Sequence, residues 1–189
     1  MSANRQNRKT IIKPLCINPL WPLAVFNLLA TVLLASTVQA KELSLIGGGY
    51  DNYRHIDLSY QTSALWQREF SSHTLDLSLE FSLGVVRAIS GIYNPELRHV
   101  GITPFVRWWF TQYTGAELGI GANIFSGVHL GDKVISTSFQ FGDSIGLFHR
   151  LQGTAWLFGL RYTHYSNGGI KEPNPGQDYV QLRIGYVFQ

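Results

Sequence analysis

Three residues near the end of the chain have the types and the spacing of a hydrolytic site. His164 and Ser166 are two residues apart, and the acid Asp178 follows the serine by twelve positions. A serine hydroxyl is a weak nucleophile until a base accepts its proton, and an acid behind the base fixes the imidazole tautomer and stabilises the imidazolium. The three residues therefore predict a serine hydrolase with Ser166 as nucleophile, His164 as base and Asp178 as acid.

The surrounding sequence places the pair on a strand that faces an apolar environment. His164 and Ser166 continue a stripe in which every second residue is apolar or aromatic: Trp156, Phe158, Leu160 and Tyr162. Side chains two positions apart on a strand share a face and lie about 7 Å apart, so the imidazole and the hydroxyl can meet. Asp178 has the parity of the apolar residues that follow it, and an antiparallel hairpin would bring it beside His164.

The elements that must position these residues are strands, because the chain beyond residue 40 alternates throughout. Residues 75–85 show this best, with leucine, phenylalanine or valine at every odd position and polar residues or glycine between them. A period of two indicates a strand between two different surroundings. With a Gly-rich first strand we count eight such segments: residues 43–50, 56–64, 75–85, 100–110, 116–124, 135–147, 156–162 and 180–188.

Long alternating segments with no helical segment between them predict an all-β fold, an eight-stranded antiparallel transmembrane β-barrel of the outer-membrane type. Such a barrel has an apolar outer face, aromatic girdles and a polar interior, whereas a soluble lipocalin-like barrel turns its apolar face inward. Charged residues on the opposite face favour the membrane barrel: Asp57, Asp76, Glu80, Arg107, Glu117, Arg161 and Arg183. Eight strands leave no room for an aqueous pore, which argues against transport. Pro104 has no N–H to donate, so we expect a bulge in its strand.

The first 40 residues have the features of a signal peptide. Four basic residues precede an apolar run at about residues 20–35, and Val38-Gln39-Ala40 is suited to signal peptidase. We expect cleavage after Ala40, which makes residues 1–40 the signal peptide and 41–189 the barrel domain. A retained signal anchor is the alternative that the length of the apolar run permits.

Without the leader, the chain loses its basic character. The leader holds four of the fifteen Lys and Arg and none of the twelve Asp and Glu, which leaves eleven basic and twelve acidic residues and a formal net charge of −1. No basic run remains, so nucleic-acid binding is not expected. Cys16, the one cysteine, also lies in the leader. The mature protein therefore has neither a disulfide nor thiolate chemistry.

Loop lengths predict the orientation of the barrel. If the chain enters from the periplasm, the connections near residues 67–72, 111–114 and 149–153 are periplasmic, and those near 87–97, 125–134 and 167–177 are extracellular. The first group is shorter, as outer-membrane barrels prefer. The seventh strand then runs outward and places His164 and Ser166 near the outer leaflet.

The segment from Arg161 to Asp178, with its His164-Tyr-Ser166-Asn-Gly-Gly169 core, resembles the signature of the outer-membrane lipid A 3-O-deacylases, the PagL family. Length, leader and strand count agree with that family over the whole chain. The resemblance implies hydrolysis of the 3-position ester of lipid A in lipopolysaccharide, without a metal or another cofactor. It assigns Ser166 as nucleophile and His164 as base, and Asp178 stands where the family has a glutamate. Glu172 is an alternative acid in the same loop.

The same resemblance implies oxyanion donors. Asn174 matches an asparagine of the family's active site, and its side-chain amide would donate to the tetrahedral oxyanion. Backbone N–H groups from Asn167 to Gly169 are further candidates, since glycine permits close approach of the backbone. Four cations toward the outer end are candidates for pairing with lipid A phosphates, or are single solvated rim charges: Arg54, Arg98, Lys133 and Lys171.

Two other functions stay open. Outer-membrane phospholipases A are similar in their His-x-Ser and a polar third residue twelve positions on, but they are larger barrels with an asparagine in the third role. A non-enzymatic barrel that anchors, adheres or strengthens the membrane would not depend on Ser166 or His164 at all. The aromatic outer face is compatible with lipid or with a second barrel in a homodimer.

Overall fold

The computed structural model describes residues 40–93 and 95–188. Its strands are β1 (Ala40–Tyr50), β2 (Tyr53–Thr62), β3 (Trp66–Glu69), β4 (Thr74–Ala88), β5 (Glu96–Trp109), β6 (Thr114–Phe125), β7 (His129–Leu130), β8 (Lys133–Val134), β9 (Phe139–Arg150), β10 (Trp156–Ser166) and β11 (Gln177–Val187). Within these two ranges no helix is long and apolar enough to cross a membrane. The predicted signal peptide lies outside the described residues, except for Ala40, where β1 begins.

Eight long strands close into a barrel. They follow the order β2-β1-β11-β10-β9-β6-β5-β4, every neighbouring pair is antiparallel, and β4 pairs with β2 to complete the ring. β3 is a short addition on β4, and β7 and β8 form a separate small hairpin. The predicted eight-stranded antiparallel barrel is therefore confirmed.

The two faces of the wall have the predicted characters. Apolar side chains point outward, and several keep more than half of their surface exposed, including Leu45, Ile56, Leu118, Ile120, Ile145 and Leu182. All seven charged residues assigned to the other face are buried. This arrangement is the reverse of a soluble barrel and suits a lipid environment.

An ion-pair network fills the middle of the barrel. Arg161 donates to Glu80 at 2.7 and 2.9 Å and to Glu117 at 2.8 Å. Arg183 donates to the other oxygen of Glu117 at 2.8 Å and to Glu42 at 2.9 Å. These bonds connect distant strands across the lumen. Each charge of this network therefore has a partner, and its side chains occupy the space that a pore would need.

Apolar clusters close the barrel at both ends. At the end where β1 starts, Phe148, Leu157 and Val187 pack together with Trp109. At the opposite end, a larger cluster, the cap, is formed by Tyr53, Val86, Ala88, Leu97, Phe125, Leu130, Ile135, Tyr165 and Tyr179. Besides the two-residue turn 51–52, the cap end carries three longer connections: the one from β4 to β5, residues 126–138 and residues 167–176. Residues 70–73, 110–113 and 151–155 turn at the other end.

Two expectations about single residues were wrong. Pro104 needs no bulge: β5 keeps one register with β6 on both sides of it, and the ladder simply omits the pairs of Thr103 and Pro104. Ile135 does not begin a strand of the barrel wall. The connection between β6 and β9 folds back over the barrel mouth, and Ile135 is 9% exposed within the cap. The sequence pattern does not distinguish an apolar residue that covers the end of a barrel from one in the barrel wall.

Candidate active site

The hairpin of β10 and β11 brings the predicted base and acid together at the cap end. His164 and Asp178 are direct partners in the ladder, and His164 Nδ1 lies 2.7 Å from Asp178 Oδ1. Both side chains keep about a third of their surface exposed, at 38% and 34%. Their neighbours on the same face, Tyr162 and Val180, are exposed on the outside of the barrel. The predicted outward parity of the pair is thus confirmed.

The hydrogen bond to Asp178 defines the chemistry of the imidazole. A carboxylate accepts the proton of Nδ1–H, which leaves the lone pair of Nε2 free to act as a base. The hydroxyl of Tyr162 also donates to Asp178 Oδ1, at 2.5 Å. Tyr162 therefore contacts the same carboxylate oxygen as His164. Sequence reasoning missed this contact because the tyrosine is also a member of the apolar stripe.

Ser166 occupies the last position of β10, beyond His164 on the same face. Its Oγ lies 3.4 Å from the N–H of Gly168, and among the described residues no hydrogen bond joins it to His164. In the absence of substrate, hydrogen bonds between catalytic groups are often long or poorly aligned.

Gly176 shapes the space at the exposed edge of the imidazole. Its φ is +63°, a value that glycine adopts without strain. A Cβ at this position would lie 2.6 Å from His164 Cε1 and 3.2 Å from His164 Nε2. Both facts favour glycine here, so Gly176 belongs to the site, although its position in the sequence did not indicate this.

The connection between the two strands is fastened by Asn167, which is completely buried. Its Nδ2 donates to the carbonyl of Lys171 at 2.7 Å and to that of Ile135 at 3.3 Å, and its Oδ1 accepts from the N–H of Gly169 at 3.0 Å. The backbone N–H of Asn167 donates to Asn174 Oδ1 at 3.0 Å. The N–H groups of Asn167 and Gly169 are thus occupied within the loop. Of the three backbone N–H groups considered as oxyanion donors, that of Gly168 is the one near Ser166.

Asn174 and Glu172 have separate positions in the loop. Because Asn174 Oδ1 accepts from Asn167, the Nδ2 group of the same amide is directed away from that bond. Glu172 Oε2 accepts from the N–H of Asn174 at 2.9 Å. Of the two acids considered from the sequence, Asp178 contacts His164 and Glu172 braces the loop.

A second loop supports the first. Lys133 of β8 donates to the carbonyl of Gly176 at 2.8 Å and to Gln177 Oε1 at 2.6 Å, and Ser136 donates to the carbonyl of Pro173 at 2.8 Å. Partial burial lowers the pKa of Lys133, and the nearby Asp178 opposes that shift. Of the four cations considered for phosphate binding, Lys133 therefore already has a structural role.

Comparisons with known proteins identify related chains. A family model described as lipid A 3-O-deacylase (PagL) matches residues 54–187. The lipid A deacylase PagL of Bordetella bronchiseptica is 38% identical over 170 residues, which span 87% of this chain and 95% of that protein. The lipid A deacylase PagL of Pseudomonas aeruginosa is 29% identical over 169 residues, or 86% and 95% of the two chains.

A solved structure has the same fold. The crystal structure of the outer membrane enzyme PagL superposes with a TM-score of 0.69, at 23% identity, over 78% of this chain and 99% of that chain.

Proposed function

The chain belongs to the lipid A 3-O-deacylase (PagL) family, and we propose that it acts in the outer membrane as a serine esterase that removes the 3-linked acyl chain of lipid A. The observation that carries this proposal is the 2.7 Å contact of His164 Nδ1 with Asp178 Oδ1 on the outward face, with Ser166 one strand repeat beyond. A buried site would require lipid to enter the barrel. A site on the outer wall meets its substrate within the membrane.

The base and the acid act first. Asp178 holds Nδ1–H, so Nε2 of His164 takes the proton of Ser166 as Oγ attacks the ester carbonyl. The Oγ–C bond forms and the carbonyl π electrons move to oxygen. The tetrahedral intermediate then collapses, the bond to the sugar oxygen breaks, and His164 returns the proton to that oxygen.

The negative oxygen of the intermediate needs donors close to Ser166. The Nδ2 group of Asn174 is one candidate, because only its Oδ1 is used within the loop, and the N–H of Gly168, which donates to Ser166 Oγ at 3.4 Å, is the second. Donors that are held in place before the reaction cost no reorganisation when the charge develops. Water, activated by the same imidazole, then hydrolyses the acyl-enzyme and releases the 3-hydroxy fatty acid.

Placement in the outer leaflet is part of the proposal. The site lies at the end of the barrel with the longer connections, which in outer-membrane barrels face the cell exterior. The acyl chains of lipid A would lie against the apolar wall formed by Leu160, Val180 and Leu182, directly below the site. We further propose that residues 1–40 are removed on export and that residues 41–189 form the enzyme.

One experiment separates the candidate functions. Protein purified in detergent is given lipopolysaccharide and phospholipid, and the released acids are identified by mass spectrometry. Loss of one 3-hydroxyacyl chain supports the deacylase, and fatty acid from phospholipid supports a phospholipase. If the intact protein releases nothing, or if Ser166→Ala retains full activity while folded, the serine mechanism is wrong.

A further inference from the structure

Three side chains converge inside the barrel. They lie on the inner face of the wall, whereas the proposed catalytic residues lie on its outer face. His55 Nε2 lies 3.1 Å and His99 Nε2 lies 2.9 Å from Asp57 Oδ1, and the two ring nitrogens are 3.0 Å apart. The three residues are 1%, 2% and 5% exposed for His55, His99 and Asp57. We propose that they bind one divalent first-row transition-metal ion, in a structural site that takes no part in ester hydrolysis.

The spacing of the three atoms fits a common ion. Their nearly equilateral triangle has its centre about 1.7 Å from each atom, so an ion about 1.1 Å above the plane lies about 2.05 Å from all three, a usual metal–ligand distance for His and carboxylate. The angles at that ion are about 94°, close to those of an octahedral face, and two His with one carboxylate on a face are a recurrent set for such metals.

Hydrogen bonds within the protein satisfy this cluster only in part, since the two ring nitrogens contact each other and leave the carboxylate without a donor. Asp57 Oδ1 is buried and accepts no hydrogen bond although two ring nitrogens lie within 3.1 Å, and His99 Nδ1 also has no partner. The other nitrogen of His55 accepts from the side-chain amide of Gln181, which directs Nε2 toward Asp57. A metal at Nε2 requires the ring proton on Nδ1, so in the metal-bound protein the Gln181 amide would turn to present Oε1 to Nδ1, and the hydroxyl of Thr163 on its other side can accept as well as donate. Leaving a buried carboxylate oxygen unsatisfied is costly, and a cation at the focus of the three atoms removes that cost.

The charge balance of the interior points to a dication. Buried side chains of the described residues include five carboxylates but three guanidinium groups: Glu42, Asp57, Asp76, Glu80 and Glu117 against Arg107, Arg161 and Arg183. Each of the other four carboxylates contacts an arginine, whereas Asp57 contacts imidazoles alone. With neutral imidazoles the interior has two excess negative charges, which one divalent ion offsets. Two imidazolium groups would bring like charges to 3.0 Å.

The barrel wall leaves space for the convergence. Gly84 of β4 pairs in the ladder with Asp57 on one side and His99 on the other. A Cβ on Gly84 would overlap Asp57 Oδ1 and lie 2.5 Å from His99 Nε2. A small polar cavity of about 10 Å³ adjoins Asp57, enough for roughly one water molecule.

The cap determines how an ion would enter. Tyr165 and Phe125 pack against His99, and Tyr179 packs against His55, so aromatic rings cover the cluster from the end of the barrel. An ion would have to be bound while the barrel folds. The experiment must therefore supply metal during refolding rather than add it to the folded protein.

Protein extracted from the outer membrane is unfolded in urea with a chelator, freed of the chelator, and refolded in detergent with Co²⁺ or Zn²⁺. Unbound metal is then removed and the content is measured by inductively coupled plasma mass spectrometry. We expect about one ion per chain, visible d–d absorption for Co²⁺, and a thermal midpoint raised by about 5–10 °C relative to the metal-free protein.

Variants locate the ion. Asp57→Asn, which keeps the shape of the side chain, should lose the metal, and His99→Gln should behave in the same way if Asp57→Asn does not refold. His129→Ala, in the β7–β8 hairpin, and His164→Ala should each keep about one ion per chain. Refolded wild type with less than about 0.1 ion per chain, metal retained by Asp57→Asn, or metal lost from His164→Ala would overturn the proposal.

Discussion

Substitution of Gly176 by alanine tests how closely the loop controls the imidazole. The new Cβ would lie 2.6 Å from His164 Cε1, where ordinary contacts begin at 3.4 Å, so the ring must move by about 0.8 Å or the loop must open. Displacement of a catalytic group by about 1 Å costs about 10² in rate. We therefore expect kcat for the release of the 3-hydroxy acid from lipopolysaccharide to fall about 10²-fold, with a smaller change in KM.

The same substitution also strains the backbone, and a matched control removes that contribution. Gly153 has φ of +72°, close to the +63° of Gly176, but a Cβ there would meet no atom within 4 Å, and it lies in the turn at the opposite end of the barrel. Both variants should lose about 1–2 kcal/mol of stability from the left-handed conformation. Only Gly176→Ala should lose activity. Equal activities of the two variants, both folded by heat-modifiable gel mobility, would refute the role of Gly176.

Three further substitutions, one of them with a matched control, follow from the contacts of the loop. Asp178→Asn should lower kcat about 10³-fold, which is less than the ~10⁴-fold loss known for a fully buried triad acid because a third of this side chain is exposed. The control Glu172→Gln should lower kcat less than about tenfold. Equal losses in the two variants would exclude Asp178 as the acid. Asn174→Ala should lower kcat by about 10²–10³ if its amide binds the oxyanion, and a loss confined to KM would contradict that role. Lys133→Met removes the donor to Gly176 and should lower kcat about tenfold at constant KM, and full activity would show that the support is dispensable.

The barrel could be predicted from the sequence because its pattern is local. Each strand must separate lipid from a polar interior, so alternation along one strand already specifies both faces. Asp57, Asp76 and Glu80 were assigned to the interior for this reason before any strand pairing was known. The partner of each charge could not be predicted in the same way: Arg161 meets Glu80 and Glu117, which lie 81 and 44 residues away along the chain.

The same distinction separates the part of the site that the strand pattern predicts from the part that depends on the loop. Parity and the hairpin rule were enough to place Asp178 beside His164, since both follow from the strands. The choice between Asp178 and Glu172, and the use of the N–H groups of Asn167 and Gly169, depended on the conformation of a ten-residue loop, which no periodicity describes. Gly176 and Tyr162 were missed because a turn glycine and a girdle aromatic have ordinary explanations until distances are known.

Strand alternation also links the outward site to the interior of the cap. Tyr165 lies between His164 and Ser166 in sequence and points the other way, into the barrel, where it is 8% exposed. There its ring makes edge contacts with Phe125, Tyr179 and His99. A catalytic group must be held to within a fraction of an ångström, but a side chain on a lipid-facing wall has fluid hydrocarbon on one side. The rigid packing of Tyr165 inside the cap therefore fixes the end of β10, and with it the separation of His164 and Ser166 outside.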